Sequence, residues 1–233
     1  MRDTASAPSH NPRLVRVVQR GDTLYSIAWA AGLDYRALAR WNDIPAPYVI
    51  HPGQQLRLRP EPGSAARPRP STRPSTRAQP GTSTRPQPAP RPAKSPAPQP
   101  RRQPEPGSMV GESGWIWPAQ GPVIRKFSQT SANPGIDIGG KAGQIVKSAA
   151  GGRVVYSGDG LRGYGELIIV KHNDMFLSAY AHNRKLLVEE GDTVRRGQPI
   201  AEMGSTGTDR VKLHFEIRKE GRAVDPLQYL PKS

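Results

Sequence analysis

The chain has 233 residues, enough for one large or two small domains. Its 34 Lys and Arg against 19 Asp and Glu give a net charge of +15, which favours an anionic partner such as nucleic acid, an anionic membrane surface or an acidic wall polymer. No nucleic-acid motif accompanies that charge, no run of about eighteen apolar residues could span a membrane, and the absence of cysteine excludes disulfides and thiolate metal sites.

Residues 1–12 read as a disordered tail. They lack the apolar stretch of a signal peptide, and no cysteine is present to carry a lipid. Residues 13–60 follow as a small module. Leu14-Val15-Arg16-Val17-Val18 has a strand pattern. Gly21-Asp22-Thr23 then opens a helix, with Asp22 or Thr23 as its cap and Leu24, Ile27 and Ala28 at helical spacing. Gly32 ends that helix, and Asp34 caps a second one running through Trp41. Residues 44–52 form a loop, and Gln54 to Arg59 alternate as a closing strand.

The order strand, helix, helix, strand carries Arg20-Gly21-Asp22-Thr23-Leu24-Tyr25-Ser26-Ile27-Ala28, Trp41-Asn42 and Ile50-His51-Pro52-Gly53-Gln54-Gln55-Leu56. Together these resemble a LysM domain. The resemblance implies binding of N-acetylglucosamine-containing glycans such as peptidoglycan. The groove is expected between the loop holding Gly21, Asp22, Thr23 and Leu24 and the loop from Ile44 to Ile50, with Leu24 and Ile50 against sugar faces. Asp22 and Thr23 can equally serve only as helix caps.

Residues 61–113 are expected to be a disordered linker. Residues 60–106 hold 15 of the 26 prolines, among Arg, Ser, Thr, Ala and Gln, with no apolar periodicity. Such a segment cannot bury enough apolar surface to offset its chain entropy. Fully extended at ~3.1 Å per residue it reaches on the order of 100 Å, and it is expected to separate the two modules.

Residues 114–233 are dense in short β patterns. Residues 153–156, 166–170, 176–180 and 213–218 read as strands, another follows the Glu220-Gly221 turn, and glycine clusters punctuate them. No long helix is indicated, so an antiparallel all-β domain is expected beside the small α+β module. Among the remaining histidines, His172 is expected to face solvent, His51 to sit in a turn and His10 in the tail.

Asn133-Pro-Gly-Ile-Asp137, Tyr180-Ala-His182 and Lys212-Leu-His214-Phe-Glu-Ile-Arg218 resemble the three motifs of LytM-type (M23) zinc endopeptidases: His-x-x-x-Asp, Tyr-x-His, and His-x-His followed by Phe-Glu. The resemblance implies metal-ligand positions at Asp137 and His214 and a catalytic position at His182. Asn133 stands in place of a ligand histidine, and Lys212 in place of a catalytic one. A catalytic zinc needs three protein ligands and an open position for water. Asparagine offers only a neutral carbonyl, a poor zinc donor beside imidazole. At ~5 Å and an effective dielectric of ~20, a lysine ammonium repels a dication by several kcal/mol. No metal and no cofactor are therefore expected.

With Gly163-Tyr-Gly-Glu-Leu-Ile-Ile-Val-Lys-His-Asn-Asp, Met203-Gly-Ser-Thr-Gly-Thr and the end Asp225-Pro-Leu-Gln-Tyr-Leu-Pro, LysM followed by linker and altered LytM domain resembles the NlpD-type murein hydrolase activators. These are envelope proteins that switch on periplasmic N-acetylmuramoyl-L-alanine amidases at the division septum. The resemblance implies a non-catalytic activator in the periplasm. Its partners would be peptidoglycan and an amidase, with the amidase bound in a cleft bounded by Asn133, Asp137, Tyr180, His182, Lys212 and His214. A zinc endopeptidase with an altered site and a passive peptidoglycan-binding protein are the alternatives.

Overall fold

A computed structural model describes residues 15–60 and 114–232. The expected tail, His10 and the proline-rich linker lie outside the described residues. Among those described, no helix is long and apolar enough to cross a membrane.

The small module has the expected order. Strand β1 (Val15–Val17) pairs antiparallel with β2 (Gln55–Arg57), and α1 (Leu24–Ala31) and α2 (Tyr35–Trp41) lie between them in sequence. Thr23 caps α1 reciprocally with Ser26: the Ser26 amide donates to Thr23 Oγ1 (3.0 Å), and the Thr23 amide donates to Ser26 Oγ (2.9 Å). Gly32 ends α1 at φ 66°, a left-handed conformation that costs glycine little. Asp34 caps α2 through the amides of Arg36 and Ala37. The Asn42 side chain accepts from the Arg57 amide (2.7 Å) and donates to its carbonyl (2.9 Å), which fastens the end of α2 to β2.

The larger module holds ten strands: β3 (Val123–Arg125), β4 (Ile136–Gly139), β5 (Ile145–Lys147), β6 (Gly152–Gly158), β7 (Glu166–Lys171), β8 (Phe176–Leu186), β9 (Thr193–Val194), β10 (Pro199–Met203), β11 (Lys212–Lys219) and β12 (Arg222–Val224). Their sheet runs β3-β4-β11-β8-β7-β6-β9; β10 pairs with β5 and β8, and β12 with β11. All pairings are antiparallel. A short 3-10 turn, Pro226–Gln228, is the only helical element described here.

Successive side chains in a strand point to opposite faces. Ile168, Val170, Phe176, Tyr180, Leu213, Phe215 and Ile217 fill one core. Leu167, Ile169, Leu177, Ala179 and Ala181 point the other way, into a second cluster with Val155, Tyr156, Leu161 and Tyr164. That second cluster continues into the core of the small module: Val18, Leu24, Ile27, Ala28, Trp29, Tyr35, Leu38, Ala39, Ile44 and Leu56. The described residues of both modules form one compact unit, because the sheet has an apolar second face that needs cover.

Polar contacts fix this packing. Thr23 Oγ1 donates to the Val155 carbonyl (3.1 Å), and the Trp29 indole N–H donates to Tyr164 Oη (3.3 Å). Arg218 donates to the Trp29 carbonyl (2.7 Å), and its guanidinium carbon lies 3.7 Å from the centre of the Trp29 ring.

His172 is placed otherwise than expected. Its Nδ1 donates to the Gly151 carbonyl (2.8 Å), its Nε2 meets Ser178 Oγ (2.7 Å), and Trp115 lies edge-on to its ring (4.7 Å). Burial pushes it down to about 4. A residue just beyond an apolar strand read as solvent-facing, but the returning strand β8 folds over it.

Candidate functional site

Strands β4 and β11 pair in a register that sets His214 opposite Asp137 and Lys212 opposite Gly139. Alternation then places Lys212, His214, Glu216 and Arg218 on one face of β11, while Leu213, Phe215 and Ile217 enter the core. Two of the three motifs, the altered pair, therefore converge because of strand register.

Asp137 is the centre of the arrangement, at 2 % exposure. Lys212 Nζ donates to its Oδ2 (2.9 Å), and His214 Nδ1 donates to its Oδ1 (2.8 Å). Arg125, from β3, forks onto both oxygens at 2.9 Å each. Burial alone would favour the neutral acid, but the bonds from His214, Arg125 and Lys212 outweigh it and hold Asp137 well below the usual carboxylate range.

His214 sits between two carboxylates, since its Nε2 donates to Glu216 Oε1 (3.0 Å). Burial opposes its charge, but the bonds to Asp137 and Glu216 prevail and raise it above its ordinary value. Glu216, fully buried, also accepts from Tyr164 Oη (2.8 Å) and, on Oε2, from Arg218 Nε and Nη2 (3.2 Å each). Burial, with the neighbouring Glu216 charge, pushes the Tyr164 phenol far up.

An open cleft of about 270 Å³ lies above this network, lined by Arg125, Asn133, Gly163, His182, Lys212 and His214 among others. Asn133 Nδ2 donates to the Gly163 carbonyl (2.9 Å), and its own carbonyl accepts from Arg125. His182 donates through Nδ1 to the Thr206 carbonyl (2.8 Å), which leaves Nε2 as the acceptor nitrogen. Burial lowers His182 below its ordinary value.

Zinc does not fit this donor set. Asp137 and His214 are bonded to each other and to two cations, and no group of three His, Cys, Asp or Glu side chains among the described residues could hold a metal. Arg125 and Lys212 fill with positive charge the space beside Asp137 that a dication would need. The cleft offers hydrogen-bond donors on a cationic floor, chemistry suited to a carboxylate or a backbone carbonyl.

Of the six residues expected to bound the cleft, Asn133, His182, Lys212 and His214 line it. Asp137 lies beneath, covered by Arg125 and Lys212. Tyr180 is fully buried on the opposite face, where its hydroxyl accepts from the Ala149 amide (2.8 Å). Arg125, Tyr164 and Arg218 were not singled out from the sequence. A buried carboxylate demands a cation, but the strand that supplies it becomes known only from the pairing of β3 with β4.

The expected glycan loop is likewise redistributed. Gly21 is exposed and Asp22 half-buried, but Leu24 is 1 % exposed in the core and Ile44 is also buried. Leu24 therefore presents no face to a sugar. Thr23 Oγ1 is engaged by Ser26 and Val155, and Ile50 packs partly against the second cluster.

Comparison with known proteins places residues 17–59 in the LysM domain family and residues 131–226 in peptidase family M23. The lipoprotein NlpD/LppB homolog of Pseudomonas aeruginosa is 57% identical over 93% of this chain and 76% of its own length. The murein hydrolase activator NlpD of Escherichia coli K12 is 42% identical over 92% of the chain and 67% of its own length. The outer membrane antigenic lipoprotein B of Haemophilus influenzae is 39% identical over 92% and 63%. The chain thus spans roughly two thirds to three quarters of these relatives.

Proposed function

The chain belongs to the NlpD/LppB family of LysM- and M23-containing lipoproteins, and from that membership we propose that it is a non-catalytic activator of a periplasmic N-acetylmuramoyl-L-alanine amidase. It acts in septal peptidoglycan splitting and daughter-cell separation, with the LysM module holding it to peptidoglycan.

The observation that carries this reading is the pair of cations on Asp137. Arg125 and Lys212 both lie 2.9 Å from its oxygens, where an M23 enzyme requires a metal. With both oxygens of Asp137 taken by Arg125, Lys212 and His214, no position is left for zinc, and the same bonds hold the carboxylate too weakly basic to act as a base. What the cleft retains is recognition. The Lys212 ammonium has three donors, one of them on Asp137. A carboxylate or backbone carbonyl of the amidase can take the others, beside the side chain of Asn133 and Nε2 of His182.

An activator works by differential affinity: it binds the open state of the amidase better than the closed one. About 5.5 kcal/mol of difference shifts the population from 1:99 to 99:1. The glycan-binding role of the LysM module belongs to the same proposal, with Gly21, Asp22 and Ile50 as its accessible side.

Equilibrium titration of a purified amidase with the chain tests this. Saturable binding is expected, weakened at least tenfold by Lys212→Gln. Absence of binding, or binding indifferent to both Lys212→Gln and Arg125→Gln, removes the cleft from the account.

A further inference from the structure

The LysM module does not sit beside the cleft-bearing sheet at random. It covers the same face. Lys212 and His214 open into the cleft, while Glu216 and Arg218, next along that face of β11, run beneath the module. Apolar side chains of the neighbouring strands, Val155, Leu167, Ile169, Leu177, Ala179 and Ala181, continue the floor under α1 and α2. About 270 Å³ remains open, below the ~300 Å³ of a small-molecule site. A specific protein partner buries ~800 Å² on each side. The apolar floor that continues from the cleft, and would add to it, is hidden beneath the module.

We infer that the LysM module is a releasable cover on the cleft-bearing face of the larger sheet. Its seat is polar as well as apolar. Thr23, Trp29 and Arg218 make the contacts described above, bonds that water can replace on release. Tyr35 lies at its edge, beside the Asp174 carboxylate and the Lys171 ammonium, which is 5.7 Å from its ring. Release also frees the Thr23 hydroxyl from the Val155 carbonyl, leaving it as the cap of α1. The cover is thus coupled to the cleft by an unbroken chain of contacts: Trp29 to Tyr164, Tyr164 to Glu216, Glu216 to His214, His214 to Asp137. Only the consequence for an amidase rests on the function proposed above; the docking does not.

Gly221 gives a direct handle. It lies in the turn between β11 and β12 at φ 79°, and a Cβ there would fall 2.6 Å from Asp34 Cα and Leu33 C. Asparagine tolerates that φ, so Gly221→Asn keeps the turn while wedging the module away. Arg218→Lys is a second, independent release. It keeps a charge for Glu216 but loses the Nη1 bond to the Trp29 carbonyl and the guanidinium over the Trp29 ring.

In the full chain, both variants are expected to speed amide exchange in α1 at least tenfold and to increase binding of a hydrophobic dye. Exchange within β11 and β8 and the circular dichroism should stay unchanged. Both should also lower severalfold the concentration needed for half-maximal amidase stimulation. Wild-type α1 amides that already exchange as fast as those of the variants overturn the inference, as do variants that take up no more dye. Weaker or equal stimulation by the released chains overturns it as well, for then the module is part of the partner surface. If no chain stimulates an amidase while exchange and dye respond as stated, the proposed function fails and the cover stands.

Discussion

Lys212 Nζ and Asp137 Oδ2 are 2.9 Å apart, across the pairing of β11 with β4 that sets Lys212 opposite Gly139 and Asp137 opposite His214. The lysine is thus a structural counterion as well as a cleft residue. Lys212→Glu would face Asp137 with a like charge in a nearly buried site. Lys212→Gln is the gentler variant and should cost about 1.5–3 kcal/mol, the range for a hydrogen bond to a charged group. Denaturant unfolding measures it. A Lys212→Gln chain as stable as the wild type would mean that Arg125 alone satisfies Asp137.

Restoring two histidines should not restore tight zinc binding. In Asn133→His with Lys212→His, Arg125 still forks onto Asp137. Adding Arg125→Ala should then raise metal content towards one zinc per chain. Elemental analysis after dialysis decides between them. Full occupancy in the double variant would show that Arg125 yields readily to a dication.

Glu216 joins His214, Tyr164 and Arg218 with no exposed surface. Glu216→Ala leaves Arg218 a buried charge with no carboxylate partner and should destabilise the fold by about 3–5 kcal/mol. It should also lower the titration midpoint of His214, which NMR reads directly. A midpoint that does not move would place the elevation of His214 on Asp137 alone.

Two histidines give opposite pH dependences. His172 falls from 6.5 to about 4 on folding, so between those values the unfolded chain binds more protons and stability drops as pH falls. His214 is raised. Its contribution is complete below the unfolded value and is lost as pH rises through the folded one. His172→Asn should therefore flatten the acid limb of a stability profile and leave the alkaline limb in place. A wild-type profile that is flat from pH 6.5 to 4 would contradict the neutral His172 between Gly151 and Ser178.

The sequence announces local structure well where one side chain decides it. Thr23 and Asp34 cap helices as their residue types imply, Gly32 ends α1, and the alternation of Lys212 to Arg218 separates cleft from core. Contacts set by distant pairing are silent. Arg125 is an unremarkable strand residue until β3 meets β4, and Tyr180 shows its face only once its neighbours are known. Leu167-Ile168-Ile169-Val170 is apolar without alternation, whereas an antiparallel strand with one wet face alternates. That run calls for cover on both faces, and the LysM module supplies the second.

The central claim is that the altered M23 module stimulates another enzyme and cuts nothing itself. Dye release from labelled peptidoglycan measures this most directly, with the full chain alone, a purified N-acetylmuramoyl-L-alanine amidase alone, and the two together. The account expects no release by the chain alone, with or without added zinc, and release by the mixture well above that of the amidase. Chelator-sensitive release by the chain alone would contradict it in favour of an endopeptidase, and an amidase no faster in the mixture would leave a protein that only binds peptidoglycan.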